Sequence, residues 1–331
     1  MEDRKKDHIE LAFDSQTGKE LIDRRFYYEP MLSPHPEGLA QTFPFGDKLL
    51  RVPLWVSSMT GGTELAGTIN RNLARACREF GMGMGLGSCR AILDDNRYLP
   101  DFDMREEIGD MPFFANLGIA QVEELIDRQE TGKIDRLLDR LQADGLIIHV
   151  NPLQEWFQTE GDRLKRSPYD TVKDLLDRIS YPLMVKEVGQ GMGYESLKAL
   201  LELPLLAVEF GAFGGTNFAR LELMRHPGTN TSLFEPLTRV GHDATQMTMM
   251  ANRIKEEGHV RTQHLVISGG IRTFLDGYYL TGKSVIPAVY GQASGFLKYA
   301  RESYDQLREY VIQQVKGLEM AYAYLKIREE E

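Results

Sequence analysis

The chain has 331 residues, 27% of them charged and 42% hydrophobic, which is the balance of an ordinary soluble globular protein. A formal charge of -10 and a pI near 5.3 argue against general nucleic-acid binding and confine any anionic substrate to a local cluster of cations. No apolar run approaches the roughly 20 residues that cross a bilayer, and the opening MEDRKKDHIE is too charged for a signal peptide. Cys77 and Cys89 offer neither a disulfide framework nor a zinc pattern, so a cytoplasmic protein with reduced thiols and no membrane partner is expected.

In chain order, residues 1–50 read as irregular, with a basic run Arg4-Lys5-Lys6-Asp7-His8 and a Pro- and Gly-bearing stretch from Pro30 to Gly46. A first strand, Leu54–Ser58, enters Met59-Thr60-Gly61-Gly62, and helical spacing of Leu65, Ile69, Leu73 and Cys77 predicts a helix over Glu64–Phe80. Met82–Leu86 and Phe113–Leu117 are the second and third strands. Val122–Gln142 has helical periodicity interrupted near Gly132. The fourth strand, in LIIHVNPLQE, is built from Ile147, Ile148 and Val150 and ended by Pro152, which has no backbone donor. Alternation puts His149 and Asn151 on one face, with Gln154 and Glu155 just beyond the strand tip. Leu183–Val188, Leu205–Glu209, His264–Ser268 and Ser284–Val289 complete eight strands, with helices at Thr171–Ile179, Ser196–Leu201 and up to Leu280. The C-terminal helix stripes Tyr304, Leu307, Val311, Val315, Leu318, Tyr322 and Leu325, a core face or a subunit interface.

Eight short apolar strands alternating with helices are the signature of an α/β protein with a (β/α)8 TIM barrel, here residues 51–331 behind an N-terminal arm and irregular segment over 1–50. A doubly wound sheet is the competitor, but no strand runs into a GxGxxG turn. Active sites of such barrels lie at the carboxyl ends of the strands, where every polar or glycine-rich cluster of this chain falls. Ser268-Gly269-Gly270-Ile271-Arg272 after the seventh strand and Gly291-Gln292-Ala293-Ser294-Gly295 after the eighth are suited to a phosphate. Lys186, in a strand that should be buried, is costly unless it is paired or touches a ligand.

Taken together, RKKDH, SSMTGGT, GSCR, ANLG, HVNPLQE, VKEVGQG, FGGTNFARLE and SGGIR resemble type 2 isopentenyl-diphosphate isomerase, in that family's order and spacing from about Arg4 to Leu297. The resemblance implies a flavin-dependent (β/α)8 barrel of isoprenoid biosynthesis that uses FMN and Mg2+, with NADPH as reductant of the flavin. It implies interconversion of isopentenyl and dimethylallyl diphosphate by a homo-oligomer. Ser58, Met59, Thr60, Ser88 and Asn116 would then contact the flavin, and Lys186 and Thr216 its ring or ribityl chain. Gly269, Gly270, Ile271 and Arg272, with Ala293 and Ser294, would bind the FMN phosphate. Arg4, Lys5, His8 and Arg90 would hold the substrate diphosphate. Gln154 would contact substrate, Glu155 would coordinate Mg2+, His149 and Asn151 would support them, and Glu222 is the additional carboxylate near the flavin.

The chain departs from that pattern at Cys89, where the family usually has Gln, over 224–262, which matches loosely, and in detail in the strand-eight loop VYGQASGFL, whose small residues still leave its amides accessible. Cys89 also suits a nucleophilic thiol as in inosine-monophosphate dehydrogenase-like barrels. The same scaffold would equally serve an FMN oxidoreductase, or a flavin-binding homologue without catalysis.

Overall fold

The structure is a computed structural model and describes residues 2–58, 64–158, 160–225 and 230–329. Its strands are β1 (Phe26–Tyr28), β2 (Phe43–Phe45), β3 (Lys48–Leu50), β4 (Leu54–Val56), β5 (Gly83–Gly85), β6 (Phe113–Gly118), β7 (Gly145–Val150), β8 (Leu183–Glu187), β9 (Ala207–Glu209), β10 (His264–Ser268), β11 (Ala288–Gln292) and β12 (Leu325–Ile327). β4 to β11 pair in parallel in sequence order, and β11 closes on β4, so the expected (β/α)8 barrel is the fold.

Alternation along the strands sorts their side chains into two layers. Trp55, Phe114, Ile147, Met184, Ala207, Val266 and Val289 point inward and form one buried cluster. Their strand neighbours Leu54, Val56, Leu146, Ile148, Val185, Val208, Leu265 and Ile267 point outward into the larger cluster under the helices. Both faces of the sheet are therefore buried, which is why these strands read as nearly continuous apolar runs. Inside, bulk is traded across strands: a Cβ at Gly83 would meet the Trp55 ring at 2.3 Å.

The helix Glu64–Phe80 lies where its spacing placed it. The periodic stretch 122–142 is two helices, Ile119–Asp127 and Gly132–Leu141, separated at Gln129, whose φ is +58°. The eighth strand is displaced from its expected position. Ser284 ends the preceding helix and Pro287 has no N–H to give, so the ladder begins at Ala288 and runs on to Gln292. The striped helix Tyr304–Tyr324 buries Leu307, Val311 and Leu318 in the outer layer of its own chain and packs Tyr304, Val315 and Tyr322 against it, whereas Leu325 lies beyond the helix, as the first residue of β12.

Residues 1–50 are less irregular than their composition suggests. The basic run lies on an α-helix, Glu2–Glu10, and β2 and β3 form a hairpin beneath the barrel. Phe45 and Leu50 complete the inner cluster from below; Phe45 stacks on His264 at 5.1 Å and packs on Trp55 at 4.9 Å. Gly46 N–H donates to His264 Nε2 (3.1 Å) and Lys48 pairs with Asp144 (2.6 Å), each partner lying at the start of a barrel strand. No helix among the described residues is long and apolar enough to cross a membrane.

The hairpin thus belongs to the barrel core. Phe45→Ala should cost about 3–5 kcal/mol, as for a buried aromatic, whereas Leu49→Ala, on the exposed side of the same hairpin, should stay within about 0.5 kcal/mol. Urea midpoints of the two variants check this; equal, small losses would mean that the hairpin is not part of the core.

Candidate functional site

Two residues past the inner apolar layer, the inward positions change chemistry. Ser57 follows Trp55, Asn116 follows Phe114, His149 follows Ile147, Lys186 follows Met184, Glu209 follows Ala207, and Ser268 follows Val266. Parity aims all of them at the barrel axis near its carboxyl-end mouth. Asn116 Nδ2 donates to the Leu86 carbonyl (3.0 Å), which turns its Oδ1 toward His149 Nδ1 at 2.7 Å. His149 Nδ1 therefore carries the proton and Nε2 is a lone pair. Burial, with Lys186 alongside, draws this imidazole down from its ordinary 6.5 to about 3, so it is neutral. Lys186 is buried, donates to the Glu187 carbonyl (3.1 Å), and has no ion-pair partner among the described residues. Ser268 Oγ donates to Glu209 Oε1 (3.1 Å), while Glu209 Oε2 and the hydroxyls of Ser57 and Ser58 are buried without a partner.

Above this layer lies a cavity of about 410 Å3, within the range of small-molecule sites. Its walls are Ser58, Lys186, Gly214, Gly215, Thr216, Gly269, Gly270, Ile271, Arg272, Ala293 and Ser294. Gly269 has φ +91° and its Cβ would fall 2.1 Å from the Ala212 carbonyl oxygen, so only glycine makes this turn. The helix Ser294–Ala300 starts at the same wall with no side chain capping it. The Arg272 amide is already given to Asp276 (3.0 Å), so at that residue only the exposed side chain is available to an anion. Glycine-lined backbone, a cation and unpartnered polar atoms fit a phosphorylated cofactor. The loop after β8 is fixed by Glu187, whose Oε2 accepts from the amides of Gly189, Gln190 and Gly191 at 2.6–2.8 Å; burial still pushes its carboxyl up.

A second cluster follows β7. Asn151 leaves the strand with φ -142° and ψ 49°, and Pro152 opens a short helix, Pro152–Phe157, so that Gln154 and Glu155 are on its first turns. Asn151 and His149 accordingly face different partners rather than one common face. Asn151 Nδ2 donates to Gln154 Oε1 (3.1 Å) and Glu155 Oε1 (2.9 Å). Gln154 Nε2 donates to Glu222 Oε1 (3.2 Å), which also accepts from Gln158 (2.8 Å), and Glu222 Oε2 pairs with Arg225 (2.7 Å). Glu155 and Glu222 are both buried. Among the described residues no three His, Cys, Asp or Glu side chains gather as a metal cage, so a cation here would rest on the Glu155 carboxylate and on ligand oxygens.

The structure thus brings Asn116, His149, Asn151, Gln154, Glu155, Lys186 and Glu222 to one end of the barrel, with Thr216, Gly269 to Arg272, Ala293 and Ser294 around the cavity. Ser88 is exposed at the start of the turn Cys89–Ile92, and Arg90 pairs with Asp162 (2.9 Å). Arg4, Lys5 and His8 are exposed, and among the described residues no hydrogen bond or ion pair ties them to the barrel. Met59 and Thr60 lie outside the described residues. Cys89 points into the outer core, its Sγ toward the Gly87 carbonyl (3.5 Å), and burial pushes its thiol up to about 12. Fully buried in that layer and not among the residues lining the cavity, this thiol is not placed to meet a substrate there.

Sequence reasoning missed Glu209, Asp162 and Gln121. Glu209 carried the same signal as Lys186, a charge in a buried strand. Gln292, expected in the glycine-rich run after the eighth strand, is the last residue of that strand; it accepts from Tyr310 (2.8 Å) and donates to the Ile271 carbonyl (3.3 Å), tying the two glycine-rich loops together. Asp162 and Gln121 join the site only through tertiary contacts.

No protein-family model matches the chain. It is 32% identical over 281 residues to an isopentenyl-diphosphate delta-isomerase of Mycolicibacterium gilvum, covering 83% of this chain and 79% of the relative. It is 30% identical over 324 residues to the enzyme of that name from Rickettsia felis, covering 95% and 90%. Among solved structures, the flavin-binding domain of baker's yeast flavocytochrome b2 aligns with a TM-score of 0.61 at 13% identity, over 90% of this chain and 71% of that one. A mandelate oxidase mutant with an FMN monooxide adduct aligns at 0.56 and 12%, over 92% and 88%. At these identities the structural likeness speaks for the barrel alone. The sequence relatives, over most of their length, establish that the chain belongs to the isopentenyl-diphosphate delta-isomerase family, with the barrel expected of its flavin-dependent type 2.

Proposed function

We propose that this protein interconverts isopentenyl and dimethylallyl diphosphate, with reduced FMN in the glycine-lined cavity, Mg2+ on Glu155, and NADPH as the source of the flavin's electrons. The observation that carries the reading is the meeting, at one barrel mouth, of that cavity with the buried Gln154–Glu155–Glu222 cluster. Reduced FMN, when bound, supplies proton transfer at its N5 without being consumed.

The other contributions come from the chain. Gly269, Gly270, Ala293 and Ser294 offer backbone approach to the FMN phosphate, and the Arg272 side chain offers charge. Lys186 and Thr216 line the cavity and would meet the flavin's ring or ribityl chain, as would Ser58, just past β4, while Asn116 on β6 and Ser88 in the loop after β5 are the further contacts proposed. Shifting a double bond develops positive charge on the carbon skeleton. Neutral His149 adds none of its own to oppose it, and Glu222, buried beside Gln154, offers negative charge. Gln154 is held at both ends of its carboxamide, by Asn151 and Glu222, which fixes the group proposed to contact substrate. Arg90, with Arg4, Lys5 and His8 of the exposed arm, supplies the cations that an acidic protein needs to hold a diphosphate. Mg2+ suits one carboxylate plus phosphate oxygens and waters.

Anaerobic protein loaded with FMN and reduced once should convert many equivalents of isopentenyl diphosphate. Product limited to the electrons supplied would assign a redox reaction instead.

Glu155→Gln keeps shape and removes charge, and should lower Mg2+ affinity or activity by at least about 10–100-fold. Gln154→Ala should slow turnover and leave the Mg2+ dependence in place. An unaltered Mg2+ curve in the Glu155 variant would put the metal elsewhere.

His149 contributes a pH dependence of known sign. Its cation is disfavoured in the fold, so the unfolded chain binds the extra proton, and the stability His149 provides is complete above pH 6.5 and lost as pH falls toward 3. The stability gap between the protein and its His149→Asn variant should therefore narrow on acidification, as read from urea midpoints between pH 4 and 8. Parallel curves would show that the fold does not shift the His149 pKa, and a gap that widened on acidification would show that the fold favours its cation.

A further inference from the structure

Asp162 lies where three separate parts of the site meet. Its Oδ2 accepts from Arg90 Nη1 (2.9 Å) and from Gln121 Nε2 (3.0 Å), and its backbone N–H donates to Glu155 Oε2 (2.9 Å). Gln121, buried, accepts in turn from the Gly118 amide at the end of β6 (2.9 Å), so the aspartate is anchored to a barrel strand. The segment bearing it crosses the helix Pro152–Phe157 so closely that a Cβ at Gly161 would fall 2.0 Å from the Glu155 carbonyl oxygen. Beyond Asp162, the Lys165 amide is held by buried Glu123 (2.8 Å). The stretch 160–165 is thus a strap across Glu155, with Asp162 at the crossing.

We infer that Asp162 is a positioning residue that couples the diphosphate-binding cation to the metal ligand, by holding Arg90 with its side chain and Glu155 with its backbone; this rests on the isomerase reading above. As a stabilising ion pair the contact is of little value, since the Arg90 and Asp162 side chains are 56% and 36% exposed. Its value is geometric. Glu155 Oε1 accepts from Asn151 and Oε2 from Asp162 N–H, so both oxygens are oriented while lone pairs are left for a cation. Arg90 has five N–H donors, so it can keep Asp162 and still meet phosphate oxygens. Arg90 and Glu155 are far apart in sequence and on different elements, and Asp162 contacts both. A metal held by Glu155 and the side chain of Arg90 would bind the same diphosphate, so the spacing between the two residues sets how well both are engaged.

The test uses the full chain loaded with FMN and binds inorganic diphosphate by calorimetry in the presence of Mg2+, with Mn2+ binding followed separately by electron paramagnetic resonance. Asp162→Ala should weaken both about 10-fold or more, the range found when partners behind a metal ligand are removed, at unchanged flavin content and melting temperature. Combined with Arg90→Ala, it should weaken diphosphate binding by no more than about twofold beyond Arg90→Ala alone, because the two act as one unit. Asp162→Asn keeps the accepting oxygen without the charge and should lie between the protein and the Ala variant; it decides the matter if the Ala variant loses flavin or melts early. Unchanged diphosphate affinity in Asp162→Asn and Asp162→Ala, or losses that multiply with Arg90→Ala, would overturn the coupling role. If Glu155→Gln also bound Mn2+ and diphosphate normally, the metal assignment itself would fall, which separates the two failures.

Discussion

The constraint on which everything else rests is the cost of placing Lys186, Glu209 and His149 in one layer of a closed barrel. A buried charge without compensation is worth several kcal/mol of lost stability, more than any single apolar contact below it returns. The barrel meets that cost by neutralising one group and bonding the rest. His149 gives up its proton, Glu209 takes the Ser268 hydroxyl, and Lys186 leans on a carbonyl. What is left unsatisfied, Glu209 Oε2 and two serine hydroxyls, borders the cavity, where a ligand's polar atoms can complete the set. The same two-residue alternation that packs Trp55, Phe114 and Ile147 below makes this polar layer inescapable above.

Division of labour in the site follows from which elements can move. Groups on strands, such as Asn116, His149 and Lys186, are fixed by the ladder itself. Groups on the short helix after β7 depend on side-chain bonds, and these form a chain from Arg90 through Asp162, Glu155, Asn151, Gln154 and Glu222 to Arg225. Such a chain transmits displacement: a shift of any member is felt by its neighbours. It ties the residues proposed to hold an anion and a cation to the carboxamide of Gln154, so that all of them are oriented by one set of bonds.

Much of this was legible because it is local. Strand periods, the glycines of SGGIR and the helix Glu64–Phe80 are set by residues within a few positions of one another. Lys186 was legible because a buried cation is conspicuous. The failures share a different cause. Pro287 moved the eighth strand because hydrogen-bond donors, rather than hydropathy, decide where a parallel ladder starts. Asn151 departs from the face of His149 because the chain turns at that residue, and alternation holds only while the strand continues. The plug formed by Phe45 and Leu50, and the bonds of Asp162 to Arg90 and Gln121, join residues that no sequence window spans.

The small ladder of β1 with β12 has a mechanical consequence. Phe26 pairs with Ile327 and Tyr28 with Leu325, so the segments before and after the barrel leave the ladder side by side, at the same end. Arg328 closes that end, giving its Nε to the Phe26 carbonyl (3.0 Å) and laying its guanidinium over Tyr27. Force applied to the two segments loads the ladder as a zipper, one pair at a time, starting at Phe26 and Ile327, whereas the barrel's own parallel strands would have to shear together. Tension therefore opens the clasp and frees the N-terminal segment while the barrel stays closed.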